Sequence, residues 1–508
     1  MYDTNHLVHA LREASLGAND KTFLHNHQTG QDKSFGAFFK NAERMATVLV
    51  NAGLAPGDRV AVQAPKTQAM LELYVGTVLA GGVFLPLNTA YKGSEIQYFL
   101  TDATPRIFVC DAIRVDTLSS VASDAGVASL FTISADEGGS LVDARDSVES
   151  GFMAVGRGPQ DLAAILYTSG TTGRSKGAML THGALASNSA TLRDYWRFTP
   201  DDTLLHALPI FHTHGLFVAT NIALMAGSGC IFLAGFDATT VVDLMPRATA
   251  LMGVPTFYTR LLQQDKLAGA AKGMRLFISG SAPLLAETHD RWRDVTGHAI
   301  LERYGMTETN MNTSNPYDGD RRAGTVGFAL PGIDVKVCHP ETGETVPDGD
   351  IGVLEVRGPN VFAGYWNMPE KTAEDMREDR FFITGDLAQI DADGYIQIVG
   401  RQKDLIITGG YNVYPKEVEL VVDAIDGVEE SAVIGVPHPD FGETVVAIVV
   451  PKPGVALGED ALKAAIVNEI ATFKQPKRIL IVNALPRNTM GKVQKNILRQ
   501  EYAGLCSV

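Results

Sequence analysis

Two repeating patterns of apolar residues follow each other along the N-terminal part of the chain. Residues 36–51 carry apolar side chains three and four positions apart, which predicts an amphipathic helix that stops before Gly53. The segments 59–64 and 83–88 predict strands, and the apolar stretch 68–80 between them predicts a helix. Because strand and helix alternate, we expect a parallel sheet with helices on its faces, which is an α/β fold.

The pattern changes later in the chain. Residues 381–400 alternate apolar and polar side chains on both sides of a turn, which predicts an antiparallel hairpin. Polar residues 402–404 follow, and we place a domain boundary there. We therefore predict a large N-terminal domain, residues 1–402, with parallel and mixed sheets in several subdomains, and a smaller α+β C-terminal domain, residues 403–508. A chain of 508 residues is also too long for one hydrophobic core.

Composition and charge narrow the function classes. The formal net charge of −15 argues against nucleic acid or an anionic membrane as the main partner, although a few local cations are enough to bind an anionic substrate. The four cysteines lack the spacing of a metal or redox site, and neither a signal peptide nor a membrane-spanning run is evident. We therefore expect a cytoplasmic protein in a reducing compartment, with no membrane and no nucleic-acid partner.

The most informative segment is residues 167–177, YTSGTTGRSKG. It contains three glycines, five serine or threonine hydroxyls and two cations, and it follows the apolar run 162–166, which predicts a buried strand. Glycines let backbone N–H groups point toward an anion, hydroxyls add neutral donors, and Lys176 adds a positive charge. Thr181 beyond it is a suitable N-cap for a helix. The segment therefore predicts a polyphosphate-binding loop between a strand and a helix.

This loop differs from the phosphate loop of common kinases and NTPases. That motif has Gly directly before Lys and Ser or Thr directly after it, whereas here Ser175 precedes Lys176 and Gly177 follows it. The order argues against a phosphotransferase that cleaves ATP to ADP, and it leaves the phosphate chemistry intact. A surface loop without a ligand is the alternative interpretation.

Three histidines lie within nine residues in the segment 206–215, HALPIFHTHG. A zinc site formed by His206, His212 and His214 lacks an evident fourth ligand, and the spacing does not match known zinc motifs. His212 on a pocket wall, offering a donor to a carboxylate, is the second interpretation. The third is that one or two of these histidines are hydrogen-bonded core residues.

Three further segments, 252–262, 276–283 and 301–309, each predict a strand that ends in a turn with glycine or polar residues. In the last of these turns Thr307 stands beside Glu308. The carboxyl ends of neighbouring parallel strands lie at one edge of a sheet, where α/β proteins bind ligands. We therefore expect the three turns to line one site.

Two segments of the C-terminal part carry further candidates. Asp386 in the predicted hairpin and Arg401 after it are candidates to bind ribose hydroxyls from two sides. Residues 486–492, PRNTMGK, predict a second glycine-containing loop, which holds Lys492.

Taken together, these segments resemble the acyl-adenylate-forming superfamily, which includes acyl-CoA synthetases, luciferases and the adenylation domains of peptide synthetases. They occur in the family's order over residues 30–500. The matching stretches are YTSGTTGRSKG, LPIFHTHG, SGSAP, ERYGMTET, FFITGDL, GRQKDLIITGGYNVYPKEVE and PRNTMGK. Within the superfamily the chain is most similar to the malonyl-CoA synthetases, on the basis of VPTFYTR, ERYGMTETNMNTSNPYDGDRR and LPRNTMGKVQKN.

The resemblance implies a two-step reaction and a C-terminal domain that moves. A carboxylate, here malonate, attacks the α-phosphate of magnesium-bound ATP and gives acyl-AMP and pyrophosphate. The thiol of coenzyme A then displaces AMP and gives malonyl-CoA. The implied cofactor is Mg²⁺, with ATP and coenzyme A as co-substrates.

The resemblance also implies roles for individual residues. Glu308 would hold Mg²⁺, Thr307 would contact the α-phosphate, and Lys492 would be the catalytic lysine of adenylation, with His212 beside them. Lys403 would be the hinge. The implied nucleotide-binding residues are Thr168, Ser169, Gly170, Thr171, Thr172, Gly173, Lys176, Gly280, Ser281, Ala282, Pro283, Glu302, Tyr304, Gly305, Met306, Asp386 and Arg401. The segment that would face coenzyme A contains Gly409, Gly410 and Tyr411.

These roles agree with the physical demands of the reaction. Adenylation joins two anions, so its transition state needs cations at the carboxylate and at the α-phosphate. A thiol could not approach while Lys492 stayed in place, which explains why a mobile domain would carry this lysine.

A dicarboxylate substrate leaves a second negative charge inside an acyl pocket, and burying that charge unpaired is costly. Arg260 offers a planar cationic fork, so we expect it to bind this carboxylate, with help from Ser281 and with His212 on the wall. The alternative is that Arg260 lies at the surface, where it covers apolar neighbours with its stem or pairs with an acid.

Two other functions remain open at this stage. One is a ligase of short- or medium-chain monocarboxylates from the same superfamily. The other is a non-catalytic nucleotide-binding module, against which the presence of Lys492 and Glu308 argues. No carrier-protein segment follows the C-terminal part, so we do not expect a self-contained peptide synthetase. Acetylation of Lys492 by an acetyltransferase, reversed by a deacetylase, would remove its charge and stop adenylation.

Overall fold

The computed structural model describes residues 2–168, 175–340, 342–409, 411–439, 441–467, 469–488 and 491–506. The chain forms two compact units. Residues 1–334 and 357–382 form the first, and residues 335–356 and 383–508 form the second. The first is a large α/β unit and the second a smaller α+β unit, which confirms the predicted fold class.

The first unit contains a six-stranded sheet near the phosphate-loop segment. Five neighbouring strands run parallel, and the sixth pairs antiparallel with the fifth. In spatial order the strands are β6 (Ser129–Ile133), β5 (Ile107–Asp111), β3 (Arg59–Gln63), β4 (Val83–Pro86), β7 (Leu162–Thr168) and β8 (Lys176–Thr181). The strands expected at 59–64, 83–88 and 162–166 are thus confirmed.

A nine-stranded sheet forms the second layer of the same unit. Its six central strands run parallel, and antiparallel strands close both edges. In spatial order they are β15 (Phe328–Ala329), β14 (Asn310–Ser314), β13 (Leu301–Met306), β12 (Leu276–Ser279), β11 (Ala250–Gly253), β9 (Thr203–His206), β10 (Gly229–Phe232), β1 (Thr22–Asn26) and β2 (Asp32–Ser34). Because β11, β12 and β13 are parallel neighbours, the three predicted turns meet at one edge, as expected.

Helices cover these sheets. The amphipathic and apolar segments at 36–51 and 68–80 form α2 and α3, as predicted. The helices of the first unit are α1 (His6–Glu13), α2 (Phe35–Asn51), α3 (Gln68–Leu79), α4 (Gly93–Ala103), α5 (Val115–Asp124), α6 (Ser140–Asp146), α7 (His182–Tyr195), α8 (Asn221–Ala226), α9 (Ala238–Leu244), α10 (Pro255–Leu261), α11 (Leu267–Ala270), α12 (Ala286–Thr296) and α13 (Pro369–Glu374). None of the helices within the described residues is both long enough and apolar enough to cross a bilayer.

The surroundings of the phosphate-loop segment differ in one respect from the prediction. Thr181 caps α7 as expected, since its Oγ1 accepts a hydrogen bond of 3.1 Å from the N–H of Ala184. However, strand β8 lies between the loop and this helix and pairs antiparallel with β7, from Leu162 opposite Thr181 to Thr168 opposite Lys176. The loop therefore joins two strands of a hairpin, and the start of α7 lies at the far end of β8.

The second unit contains two smaller sheets. The first, in spatial order, is β16 (Asp334–Cys338), β17 (Gly352–Arg357), β18 (Phe382–Ile390) and β19 (Ile396–Arg401), and it contains the predicted hairpin. The second is β21 (Tyr411–Val413), β20 (Ile406–Thr408), β23 (Gly442–Pro451) and β22 (Val428–His438), with β24 (Arg478–Ile481) paired to β23. The helices α14 (Pro415–Asp423), α15 (Glu459–Ile466) and α16 (Lys495–Glu501) complete the unit.

The division between the compact units lies elsewhere than the expected boundary at residues 402 and 403. The hairpin of β18 and β19 shares a sheet with β16 and β17, and the hydrogen bonds of this sheet hold residues 335–356 and 383–402 together in the second unit. The two compact units are defined by the density of contacts within them. The expected boundary at Lys403 is instead the position about which the C-terminal domain would move. The hinge at Lys403 therefore stays a prediction.

Candidate active site

The two ends of the phosphate-loop segment are held by helix α4. The Tyr98 hydroxyl donates a hydrogen bond of 2.8 Å to the carbonyl oxygen of Ser175, and the Tyr167 hydroxyl donates to the carboxylate of Asp102. The predicted nucleotide-binding residues Ser169, Gly170, Thr171, Thr172 and Gly173 lie outside the described residues. Thr168 stands at the end of β7, and its hydroxyl lies 3.4 Å from the carbonyl oxygen of Lys176. The frame of the loop is thus fixed by side chains on both flanks.

Lys176 begins β8, and its ammonium group lies among aromatic and acidic neighbours. Its Nζ is 4.2 Å from the ring centroid of Tyr365 and 3.9 Å from Oδ2 of Asp375. The side chain of Lys176 is 18% exposed. The lysine is therefore partly exposed and has a flexible stem with which to reach an anion.

Glu308, the predicted magnesium ligand, follows β13 and is buried. Its Oε1 accepts a hydrogen bond of 3.0 Å from the hydroxyl of Tyr365, and its carbonyl oxygen accepts one of 2.8 Å from the N–H of Phe362. Burial, followed by the charges of Glu308 and Asp375, raises the pKa of Tyr365 well above its usual value, so this phenol stays protonated and donates. Thr307, beside Glu308, is half-buried.

The segment 360–366 connects Glu308 to β8, and the motifs did not indicate this role. Ala363 and Trp366 form backbone hydrogen bonds with Met179 and Gly177 on β8. Asn360 donates from Nδ2 to the carbonyl oxygen of Thr309, at 2.6 Å. This segment therefore carries Tyr365, which contacts the Glu308 carboxylate through its hydroxyl and the Lys176 ammonium through its ring.

The turn after β12 carries an unusual backbone. Ser281 has φ +71°, a conformation that costs a residue with a side chain of order 1–3 kcal/mol and that clusters at functional sites. Its hydroxyl oxygen lies 3.3 Å from Nδ1 of His214, which is buried. Ala282 is half-buried and Pro283 is exposed. The predicted turn at Gly280 to Pro283 is thus present at the carboxyl edge of the sheet.

Arg303 on β13 is a buried charged residue to which the motifs assigned no role. Its side chain is buried, and its Nε and Nη2 have no hydrogen-bond partner within the part of the chain that the structure describes. The guanidinium packs directly against Gly280, where an added Cβ would come 2.5 Å from Arg303 Cζ. Burial lowers the pKa of Arg303 to about 9, against a smaller opposing effect of Tyr258, so the group is still charged at neutral pH.

A buried guanidinium with orphaned donors is costly unless an anion reaches it. His214 adds to this environment, because burial and then the nearby charge of Arg303 lower its pKa well below the usual value and keep the imidazole neutral. Buried Ser279 Oγ and His214 Nε2 also lack partners among the described residues. Buried polar groups and one buried cation therefore lie beside the turn at Ser281. The sequence did contain one indication of this residue: an arginine lies between Glu302 and Tyr304 in a predicted strand, and charged side chains are rarely buried without a partner.

The three histidines of 206–215 separate in the structure. His206 is a core residue: its Nε2 lies 3.0 Å from the carbonyl oxygen of Gly215, and Lys66 Nζ lies 3.1 Å from its Nδ1. His214 faces Ser281, and His212 is half-buried beside it in the chain. Among the described residues no three histidine, cysteine or acidic side chains are grouped as a metal site would require. The zinc interpretation therefore has no support, while a role of His212 on the pocket wall stays a prediction.

Glu302, Tyr304 and Gly305 lie on β13 or at its end. Glu302 is buried, and its Oε1 lies 3.3 Å from Nδ1 of His289; burial raises its pKa. A Cβ on Gly305 would come 1.9 Å from the carbonyl oxygen of Asn310, so the β13–β14 hairpin excludes any larger residue there. Tyr304 and Met306 are half-buried, and the Tyr304 hydroxyl lies 3.8 Å from the sulfur of Met306. Their contacts with adenine stay predictions.

Arg260 lies in the last turn of α10 and is exposed. No hydrogen bond or ion pair of its side chain occurs within the described ranges of the chain, so the alternative of a surface ion pair is not seen. Tyr258, two residues earlier, is buried and donates a hydrogen bond of 2.6 Å to the carbonyl oxygen of Ile278. Residues two apart in a helix point in different directions. Arg260 therefore does not share the face on which Tyr258 approaches Arg303, and its role stays a prediction.

In the second unit, the two candidates for the ribose are brought together. Asp386 and Arg401 are opposite each other in the β18–β19 hairpin, and Arg401 Nε lies 2.6 Å from Oδ1 of Asp386. Asp386 is buried and its N–H donates to the hydroxyl of Thr384. Together they present a carboxylate with fixed orientation, which suits the binding of vicinal hydroxyls.

Lys403, Gly409 and Tyr411 lie at the surface of the second unit. Lys403 is exposed in a short 3₁₀ turn, and its neighbour Asp404 accepts a hydrogen bond of 2.6 Å from Arg499. Gly409 has φ +56°, and Tyr411 is 59% exposed with its ring stacked on Phe473 at 4.7 Å. Gly410 lies outside the described residues.

Lys492 is exposed at the end of a glycine turn. Gly491 has φ +75°, a backbone conformation that glycine adopts without strain, and its carbonyl oxygen accepts a hydrogen bond of 2.6 Å from Arg487. The backbone N–H of Lys492 donates to Oδ1 of Asn488. These hydrogen bonds join the described residues before and after the turn, and Lys492 lies at the surface of the second unit.

Most of the chain matches known family models. Residues 11–366 match the model described as AMP-binding enzyme, and residues 417–492 match the AMP-binding enzyme C-terminal domain.

Individual relatives cover nearly the whole chain. A malonate–CoA ligase from Arabidopsis thaliana is 33% identical over 97% of this chain and 83% of its own length. A feruloyl-CoA synthase from Streptomyces sp is 35% identical over 93% of this chain and 94% of its own. The crystal structure of ATP-bound MatB from Rhodopseudomonas palustris is 57% identical, covers 99% of this chain and 100% of its own, and has a TM-score of 0.97. These similarities confirm the resemblance inferred from the motifs, and the chain belongs to the AMP-binding enzyme family.

Proposed function

We propose that this protein is an AMP-forming ligase that joins malonate to coenzyme A. In the first step malonate and ATP give malonyl-AMP and pyrophosphate, and in the second step coenzyme A displaces AMP and gives malonyl-CoA. The observation that carries the choice of acid is the buried guanidinium of Arg303, two of whose donors have no hydrogen-bond partner among the described residues.

The family by itself leaves the acid open. Relatives of nearly equal identity are described as a malonate–CoA ligase and as a feruloyl-CoA synthase, so overall similarity does not separate a dicarboxylate from an aromatic monocarboxylate. A monocarboxylate loses its only charge on adenylation and offers nothing to a buried cation. Malonate keeps a second carboxylate, which a planar guanidinium binds through two hydrogen bonds. Arg303 therefore favours malonate, with Ser281 and His214 as further polar neighbours.

The arginine proposed here for the second carboxylate differs from the one that the sequence predicted. Arg260 was the expected partner of the second carboxylate, and it is exposed on α10. Arg303 is buried against Gly280 at the floor of the turn that also holds Ser281. We infer that Arg303 binds the distal carboxylate, and that Arg260 contributes to it only if it turns inward from the helix.

For adenylation, this chain supplies donors to the phosphates and a lysine to the attacking carboxylate. Lys176 would bind the β- and γ-phosphates, and Thr307 the α-phosphate. The buried carboxylate of Glu308, oriented by Tyr365, fits a Mg²⁺ ion, because this metal prefers oxygen ligands and takes one or two carboxylates beside substrate phosphates. When bound, Mg²⁺ would offset the negative charge of the triphosphate. Lys492 would offset the charge of the attacking carboxylate and of the α-phosphate.

For thioester formation, Lys492 has to leave and coenzyme A has to enter. The turn at Lys403 would absorb the dihedral change, and the segment with Gly409, Gly410 and Tyr411 would then face the thiol. Asp386 and Arg401 would hold the ribose of AMP. We further propose that the protein acts in the cytoplasm and that acetylation of Lys492 controls the first step.

Exchange of labelled pyrophosphate into ATP tests the function directly. With malonate, ATP and Mg²⁺ but no coenzyme A, the purified protein exchanges pyrophosphate, and on addition of coenzyme A it forms AMP and malonyl-CoA. A panel of malonate, methylmalonate, acetate, octanoate and ferulate identifies the acid. Exchange that is faster with a monocarboxylate than with malonate contradicts the proposal, and formation of ADP contradicts the adenylate mechanism.

A further inference from the structure

Asp375, the residue directly after α13, lies between two lysines. Its Oδ1 is 2.9 Å from Nζ of Lys371, and its Oδ2 is 3.9 Å from Nζ of Lys176. Its side chain is only 21% exposed. The Tyr365 hydroxyl, which donates to Glu308, is also influenced by the Asp375 charge. Asp375 is therefore part of the group of side chains around the phosphate lysine, although no motif indicated it.

The two lysines hold Asp375 differently. Lys371 is four residues away on the same helical turn, and its distance to Asp375 is that of a charge-assisted hydrogen bond. The 3.9 Å between Asp375 and Lys176 is longer than a hydrogen bond, and the ammonium of Lys176 also lies over the Tyr365 ring. Asp375 is thus fixed by Lys371, whereas Lys176 is held loosely and can turn away on its flexible stem.

We propose that Asp375 is a positioning residue that competes with phosphates for Lys176. This inference rests on the proposed function, in which Lys176 binds the β- and γ-phosphates of ATP. Without nucleotide, the carboxylate of Asp375 holds the ammonium of Lys176 close to the Tyr365 ring. The triphosphate carries more negative charge than one carboxylate, so Lys176 leaves Asp375 and binds the phosphates when ATP is present. When pyrophosphate dissociates, Lys176 returns to Asp375. Asp375 therefore weakens the binding of both ATP and pyrophosphate and speeds the release of pyrophosphate.

The substitution Asp375→Asn tests this inference, with Glu374→Gln as its matched control. Both remove one negative charge, and both residues contact Lys371, but Glu374 has a side chain that is 66% exposed and makes no contact with Lys176 among the described residues. Calorimetric titration with Mg-ATP and with magnesium pyrophosphate measures the affinities. Asp375→Asn tightens both by about fivefold, the size expected for one partly screened ion pair. Glu374→Gln leaves both unchanged.

A double-mutant cycle with Lys176→Met separates this effect from a general change in charge. Lys176→Met alone weakens both ligands, and adding Asp375→Asn to it then has no further effect. Unchanged or weaker binding of ATP and pyrophosphate by Asp375→Asn overturns the inference. A loss of affinity that excess Mg²⁺ restores also overturns it, because Asp375 would then help to bind the metal. Equal tightening by Glu374→Gln, or tightening that persists in the Lys176→Met background, also overturns it.

The same cycle shows whether the proposed function fails instead. If Lys176→Met leaves the affinity for ATP unchanged, Lys176 does not bind the phosphates, and the inference about Asp375 is then also wrong. If Lys176→Met weakens ATP binding and Asp375→Asn changes nothing, only the competition by Asp375 is wrong.

Discussion

The guanidinium of Arg303 lies against the Cα of Gly280, so that a side chain on Gly280 would begin 2.5 Å from Arg303 Cζ. Arg303 lies on β13, and Gly280 directly follows the neighbouring parallel strand β12, at the start of the turn that carries Ser281. The absence of a side chain on Gly280 therefore leaves the space that the buried guanidinium of Arg303 occupies.

Arg303→Met keeps an unbranched side chain, shorter than that of arginine, and removes the guanidinium with its charge. We expect kcat/KM for malonate to fall by about 100-fold, because a buried charge pair loses one partner, whereas the affinity for ATP stays unchanged. The melting temperature stays the same or rises, because an uncompensated buried charge is removed. Pyrophosphate exchange, calorimetry and thermal unfolding measure the three quantities.

Arg260→Ala is the comparison for that variant. If Arg260 binds the distal carboxylate, this substitution costs malonate turnover far more than ATP binding. If Arg303 alone does so, only Arg303→Met has this effect. Wild-type malonate kinetics in both variants would remove the dicarboxylate assignment.

Gly280→Ala places a methyl group where the Arg303 guanidinium lies. We expect the KM for malonate to rise, because either the guanidinium moves or the turn shifts, at a cost of about 1–3 kcal/mol. Steady-state kinetics at saturating ATP measure this. Gly235→Ala is the control, since an added Cβ there meets nothing within 4 Å. A Gly280→Ala enzyme with normal malonate kinetics contradicts the tight contact.

Tyr365→Phe removes the hydroxyl that orients the Glu308 carboxylate at 3.0 Å. We expect the Mg²⁺ concentration for half-maximal pyrophosphate exchange to rise about tenfold, as is typical when the partner of a metal-binding carboxylate is lost. Saturating Mg²⁺ restores much of the rate. A reduced rate with an unchanged Mg²⁺ requirement shows that Tyr365 acts on something other than the metal site.

Lys492→Ala separates the two half-reactions. We expect adenylation to fall by about 100- to 1000-fold, the range for loss of one donor that stabilises transition-state charge, while the conversion of supplied malonyl-AMP and coenzyme A to malonyl-CoA continues. Chemical acetylation of Lys492 should give the same pattern. Equal loss of both half-reactions indicates damage to the second unit rather than the loss of a catalytic group.

Asp423→Asn tests a pH effect on stability in the second unit. Burial raises the pKa of Asp423 to about 6, although the Ser431 hydroxyl donates to its Oδ1 at 2.7 Å. Since the unfolded chain has an Asp pKa of about 3.9, the folded state binds the proton more tightly, and stability decreases as pH rises from about 4 to 6. Asp423→Asn therefore raises the melting temperature of this unit at pH 7.5 and has little effect at pH 4.

The exposed Asp426 supplies the control for this measurement. Asp426→Asn should leave the melting temperature unchanged at both pH values. An equal effect of the two substitutions would show that net charge, rather than the burial of Asp423, is responsible.

Some of these features could be predicted from the sequence, because they depend on neighbouring residues. The cap at Thr181 needs only the N–H of Ala184 three residues on, and a β-hairpin needs only alternating apolar residues around a turn. The chemistry of a phosphate loop likewise depends on glycines and hydroxyls within one short segment. The same locality explains why strand β8 was missed, since Lys176 to Thr181 form a strand only by pairing with β7.

The sequence by itself determined the order of strands and helices and the family, through short motifs whose physical meaning is local. Only the tertiary structure decided that Arg303 is a buried cation against Gly280, and that Tyr365 and Asp375 stand beside Glu308 and Lys176. These relationships depend on burial and on pairs of residues that are far apart in the chain. The sequence of a strand does not show whether a charged residue faces solvent or the protein interior, because the packing of segments distant in the chain decides its burial.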